Sequence, residues 1–139
     1  MPNPAISPKT CFLVDDDIDD QEIFMAAVNE VDNSIKCVGI DNCEEAIETL
    51  KCTGQNPPDF IFLDLNMPVK NGFQCLEEIK NTKRWNNVKV VILSTSSHPE
   101  QIKTAYDLGA DLYLTKSTSY SEFRNTLTNC LQLDLTDLR

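Results

Sequence analysis

Short apolar runs rich in branched and aromatic side chains alternate along the chain with longer stretches in which apolar residues recur every three and four positions. The runs Thr10–Val14, Lys36–Ile40, Asp59–Leu63, Lys89–Leu93 and Asp111–Thr115 have strand length and are mostly bounded by polar, Pro or Gly positions. Between them, helical faces are predicted on Ile23, Ala27 and Val31 with Phe24 and Val28, on Cys43, Ala46, Ile47 and Leu50, and on Phe73, Leu76 and Ile79. Two more follow, on Ile102, Ala105 and Tyr106, with Gly109 at the C′ position, and on Tyr120, Phe123, Leu127, Cys130 and Leu131. Capping spacings at Asp41/Glu44, Ser97/Glu100 and Ser119/Glu122 mark helix starts independently of the periodicity. A near-continuous apolar strand such as Phe60-Ile61-Phe62-Leu63 needs cover on both faces, as in a parallel sheet between helical layers. The fold class predicted is therefore α/β, a (βα)5 chain with a doubly wound, five-stranded parallel sheet. In that architecture ligands sit outside the carboxyl ends of the strands.

A chain of 139 residues fits one such domain, predicted over 9–131, with a flexible tail at 1–8 and a short tail at 132–139. Acidic residues outnumber basic ones 22 to 12, for a formal charge of -10, which disfavours binding to nucleic acid or to anionic membrane. The start carries no leader-like apolar run and no stretch approaches membrane-helix length, so a cytoplasmic location is expected. Six scattered cysteines without CxxC spacing read as reduced, partly buried thiols. His98 reads as an exposed loop residue, and Trp85 as a cap on the neighbouring core.

The ends of the strands carry the chemistry. The first strand runs into Asp15-Asp16-Asp17 and the third into Asp64-Leu65-Asn66, so neighbouring strands deliver carboxylates to one rim. Such a cluster repels itself unless a cation neutralises it, and magnesium, content with one or two carboxylates, waters and a phosphoryl oxygen, fits best. Asp17, Asp19 and Asp20 are read instead as a solvated helix N-terminus favoured by the macrodipole. The fourth strand brings Ser94 and the fifth Lys116 to the same rim. A carboxylate, a metal site, a hydroxyl and an ammonium are the parts needed to move a phosphoryl group onto an aspartate.

With Asp15/Asp16 after an apolar strand, the FLDLNMP segment around Asp64, Gly72, Ser94, Tyr113 and Lys116, the chain strongly resembles the receiver domain of two-component response regulators, over about Lys9 to Leu131. The resemblance implies the flavodoxin-like receiver fold. It implies Asp64 as phosphoacceptor, charged from the phosphohistidine of a sensor histidine kinase or a histidine phosphotransfer protein. It implies magnesium held by Asp16 and Asp64, with Asp15 alongside and the Asn66 backbone carbonyl. Ser94 takes the hydroxyl switch position, Lys116 pairs with the phosphoryl oxygens, and Tyr113 takes the aromatic switch position. A stand-alone, CheY-like protein is expected, a monomer or weak dimer that acts on a downstream protein target rather than as an enzyme, beyond its own phosphotransfer and slow autodephosphorylation. The output face is expected on the Ile102–Leu108 helix, the last strand and the last helix.

Two positions depart from the family pattern: Ser117 follows Lys116 where proline is usual, and Thr95 follows Ser94 where a smaller residue is common. Rival readings are distinguishable. An aspartate-nucleophile phosphatase usually carries a second aspartate two residues after the nucleophile, where this chain has Asn66. A flavodoxin-like cofactor binder needs a phosphate loop where Asp15-Asp16-Asp17 stand. A degenerate receiver would serve as a docking module independent of phosphorylation.

Overall fold

The structure, a computed structural model, describes residues 9–54, 56–65, 72–116 and 119–132. Five strands, β1 (Thr10–Val14), β2 (Lys36–Ile40), β3 (Phe60–Asp64), β4 (Lys89–Ser94) and β5 (Leu112–Thr115), alternate with five helices. These are α1 (Ile18–Val31), α2 (Cys43–Cys52), α3 (Gly72–Asn81), α4 (Pro99–Asp107) and α5 (Tyr120–Gln132), with one 3-10 turn at Lys83–Trp85. The strands form one parallel sheet in the order β2-β1-β3-β4-β5. Strand order reverses between β1 and β3, so the crevice for chemistry opens at the carboxyl ends of those two strands. The predicted tails at 1–8 and 132–139 lie outside the described residues, except that Gln132 still belongs to α5.

Each strand turns alternate side chains to opposite faces, so one sheet serves two cores. Phe12, Val14, Ile61, Leu63, Val90 and Ile92 pack with α2, α3 and Ala105 of α4. Cys11, Leu13, Phe60, Phe62, Val91 and Leu93 pack with α1 and α5. Trp85 is buried in the first core, as its sequence position predicts. The buried stripe of α1 is Phe24, Ala27 and Val28, narrower than predicted: Ile23 lies off it and is half-exposed, because three residues spaced 24, 27 and 28 already fill the contact with the sheet. Tyr106 and Tyr120, predicted on inward faces, are likewise exposed.

Caps are partly as predicted. Ser119 Oγ accepts from Glu122 N–H at the start of α5. At α2 the cap is Asn42, one residue later than predicted, accepting from Glu45 N–H at 2.8 Å. Asn can do this as well as Asp, and the strand exit sets which of the two is in reach. α4 starts from His98 with Pro99 at its first position and no side-chain cap.

The cysteine expectation needs correction. Cys43, which opens α2, and Cys75 on α3 are joined in a disulfide, with Cα atoms 5.8 Å apart and a sequence separation of 32. The topology, not sequence spacing, makes them neighbours: α2 and α3 lie side by side on one face of the sheet. Cys11, Cys37, Cys52 and Cys130 are free thiols, and burial pushes Cys130 up to about 11.

A buried ion pair joins α3 to the start of β5. Asp111 Oδ2 accepts from Lys80 Nζ and from Val90 N–H, both at 2.8 Å, and Lys80 Nζ also donates to Val88 O at 2.9 Å. Gly109, at φ 106, turns the chain out of α4 and leaves room for the Lys80 stem, which a Cβ there would meet at 3.1 Å.

Candidate functional site at the carboxyl ends of the strands

Parallel register brings the rim residues together. Val14 pairs with Leu63, Asp64 with Leu93, and Ser94 with Thr115, so Asp15, Asp64, Ser94 and Lys116 leave neighbouring strands at one level. Asp15, Asp16 and Asp64 each present a carboxylate oxygen within 4.8 Å of the others. Asp15 and Asp64 are buried, and Asp16 is exposed. Lys116 Nζ reaches Asp15 Oδ2 at 3.4 Å and Asp64 Oδ1 at 3.5 Å. A third partner, missed by the sequence reading, is Asp20: its Oδ2 also lies 3.4 Å from Lys116 Nζ. Only the fold could disclose this pair, because 96 residues separate the two in sequence.

The local backbone fixes these side chains. Asp17 caps α1, accepting from Asp19 N–H and Asp20 N–H, and Asp17 N–H itself donates to Asp15 Oδ1 at 3.0 Å. Gln21, also unflagged by the sequence, donates from Nε2 to Asp15 O at 2.6 Å and to Asp41 Oδ1 at 3.1 Å, tying the β1 exit to that of β2. On β3, Leu65 N–H donates to Leu93 O at 3.0 Å. Gly72 sits hard against this exit: a Cβ there would come within 2.8 Å of Asp64 O and 2.9 Å of Leu65 Cα. Asn66, the predicted carbonyl ligand, lies outside the described residues, as does Ser117.

Electrostatics at the rim are those of a cluster short of cations. Burial pushes Asp15 up to about 6; the Asp17 N–H and Lys116 oppose the rise, while Asp64 and Asp20 add to it. For Lys116, burial pulls downward, but Asp64, Asp15 and Asp20 together hold its pKa above the ordinary lysine range. Three converging oxygen donors, one of them short of charge compensation, suit a hard divalent ion.

A pH dependence follows for the metal-free protein. The folded state binds the Asp15 proton more tightly than the unfolded chain, where the ordinary value is 3.8, so this stabilisation is complete below about pH 4 and is lost as pH rises to about 6. Urea unfolding of the metal-free protein across that window should show a falling midpoint, flattened in Asp15→Asn. Magnesium should raise the melting temperature more at pH 7 than at pH 4.5.

Tyr113 packs against the core shared with α2 and α3, and Ser94 ends β4. Ser94 is fully buried; its Oγ accepts from Ser96 N–H at 3.0 Å, and its carbonyl accepts from Lys116 N–H at 2.6 Å. Tyr113 Oη donates to Ser96 O at 2.7 Å, and Tyr113 N–H donates to the exposed Tyr106 Oη at 3.1 Å. A continuous set of hydrogen bonds thus runs from the rim to the α4–β5 surface.

The family model of the response regulator receiver domain matches residues 12–128. The chain belongs to that family. This receiver domain is 29% identical over 126 residues to the response regulator Rcp1 of Synechocystis, spanning 88% of this chain and 86% of Rcp1. It is 35% identical over 103 residues to the nitrate/nitrite response regulator NarL of Escherichia coli, of which it covers 45%. The solved structure of the phosphorylated cyanobacterial phytochrome response regulator RcpA superposes with a TM-score of 0.82 at 31% identity, over 93% of this chain and 95% of that one. The Mn2+-bound form of Rcp1 gives 0.76 at 28% identity, over 92% and 95%. Receiver domains are signalling modules rather than classical enzymes; histidine kinases phosphorylate response regulators, which act on downstream targets. The family binds Mg2+ or Mn2+ at acidic residues, and the cluster of Asp15, Asp16 and Asp64 is where this chain offers them. No described helix is long and apolar enough to cross a membrane.

Proposed function

We propose that Asp64 accepts a phosphoryl group from the phosphohistidine of a sensor kinase or a histidine phosphotransfer protein, in a magnesium-dependent reaction, and that the resulting conformational change is read by a partner protein. The observation that carries this reading is the convergence of Lys116 Nζ on Asp64 and Asp15 beside three clustered carboxylates. An Asp64 carboxylate oxygen attacks phosphorus as the phosphorus–nitrogen bond of the donor breaks, and the departing imidazole keeps the electron pair and takes a proton from solvent. Magnesium would be held by Asp16 and Asp64, with Asp15 alongside and the Asn66 backbone carbonyl as a further ligand, and would supply charge neutralisation at the acceptor. Lys116 offers the phosphoryl oxygens a charge-assisted hydrogen bond, and the Ser94 hydroxyl a second.

Signalling follows from the bonds Ser94 gives up. In turning toward the phosphoryl group its Oγ releases Ser96 N–H, and Ser96 O is the anchor of the Tyr113 hydroxyl. Tyr113 then changes position next to Tyr106, and the surface of α4, β5 and α5 is reweighted toward a second arrangement. Phosphorylation should accordingly change backbone amide exchange on that surface, and leave α2 largely unaffected.

Magnesium with acetyl phosphate, followed by intact mass and peptide mapping, tests the reaction. One phosphoryl adduct on the peptide containing Asp64, absent without magnesium, is the expected result. Failure with acetyl phosphate and with a phosphohistidine donor alike would reduce the chain to a docking module independent of phosphorylation.

A further inference from the structure

Lys116 has more acidic partners than phosphoryl capture requires. Its ammonium lies within 3.5 Å of three carboxylates, Asp15, Asp20 and Asp64, and these are not equivalent. Asp15 and Asp64 are buried and belong to the cluster with Asp16. Asp20 belongs to the first turn of α1, outside that cluster, and its side chain keeps 47% of its exposure. It faces Lys116 across the mouth of a cavity of about 120 Å3 between α1 and α5, whose apolar wall includes Ile23, Phe24 and Phe123. Lys116 lines the same cavity, and its ammonium stands within reach of the inner carboxylates and of Asp20 at once.

We propose that Asp20 is a positioning residue that competes with the phosphoryl group for Lys116. The inference rests on the phosphoacceptor reading of Asp64. When a divalent ion neutralises Asp15 and Asp64, Asp20 is the remaining described carboxylate in contact with the ammonium. Lys116 is then drawn to the outer edge of the rim. A phosphoryl group arriving on Asp64 has to win the lysine from Asp20, and an ion pair this exposed is weak enough to be displaced yet strong enough to slow capture. Asp20 thereby sets how readily the site is charged, while contributing no atom to the reaction.

Asp20→Asn is nearly isosteric and keeps the backbone N–H that the Asp17 cap uses. Asp19→Asn removes the same charge one residue away, from a side chain with no contact to Lys116, and so measures the general effect of a less acidic rim on an anionic donor. Initial rates of phosphorylation by acetyl phosphate at saturating magnesium should rise about two- to fivefold more in Asp20→Asn than in Asp19→Asn. Asp20→Glu should return the rate close to that of the wild type. In metal-free protein, the 15N resonance of the Lys116 ammonium should shift in Asp20→Asn and stay put in Asp19→Asn.

Equal rates in the two Asn variants, a slower Asp20→Asn, or a Lys116 resonance indifferent to Asp20 would each overturn this inference and leave Asp64 as the acceptor. Absence of labelling in every protein, the wild type included, would overturn the acceptor reading and this inference with it.

Discussion

Asp64→Asn is expected to take no phosphoryl group from acetyl phosphate or from a phosphohistidine donor, with labelling reduced about a thousandfold or more, the scale on which loss of a nucleophile acts. The carboxamide fills the same volume and keeps an acceptor oxygen toward Lys116, so the fold and the register of β3 with β4 stay as they are. What is lost is the anionic oxygen that forms the new bond, and with it one of three converging donors. The same variant should therefore show little of the magnesium-induced rise in melting temperature expected of the wild type at neutral pH. Intact mass and thermal melts on one pair of samples read both effects. Labelling of the variant at the wild-type rate would place the acceptor elsewhere and remove the basis of the proposed function.

The largest loss of stability should come from a residue with no part in the chemistry. Asp111→Ala leaves the Lys80 ammonium, mostly buried, with Val88 O but without its counter-charge, and leaves Val90 N–H without the oxygen it donates to. Breaking one half of a buried, hydrogen-bonded pair costs about 3–5 kcal/mol, because the surviving charge stays desolvated. Urea unfolding should show that loss as a lowered midpoint with the slope unchanged. Replacing both partners, Lys80→Met with Asp111→Leu, should recover a good part of it, since no buried charge is then stranded. A double variant less stable than Asp111→Ala would mean that the pair's hydrogen bonds to the strand, rather than its charge balance, hold this corner.

Elements and rim residues were legible for a common reason: both follow from period and position along the chain. Two-sided strands such as Phe60–Leu63 announce a parallel sheet, and a parallel sheet brings whatever follows its strands to one edge. That is enough to collect Asp15, Asp64, Ser94 and Lys116. What the sequence withheld depends on angles and on distant pairs. Ile23 obeys the helical period as well as Phe24 does, and only the seating of α1 on the sheet decides which is buried. Asp20 looked like one more acid at a helix start, because its partner lies on the far strand. Cys43 and Cys75 carry no recognisable spacing, and Lys80 and Asp111 resemble surface charges until the fold brings the end of α3 to the residue before β5.

The tight contact of Gly72 with the exit of β3 bears on where the bulk of a modified Asp64 can go. On one side the first residue of α3 abuts Asp64 O and the Leu65 backbone, and on the other Leu65 N–H is fastened to Leu93 O. Asp64, the proposed acceptor, thus stands like an anvil, with its main chain held from both flanks. On the proposed reading, a phosphoryl group added to Asp64 would meet a main chain with little room to retreat, and the displacement would fall on the side chains that face it. If Asp64 is the acceptor, a main chain held in this way would turn a change of one group into movement at a distance, on the side of the molecule left free to move.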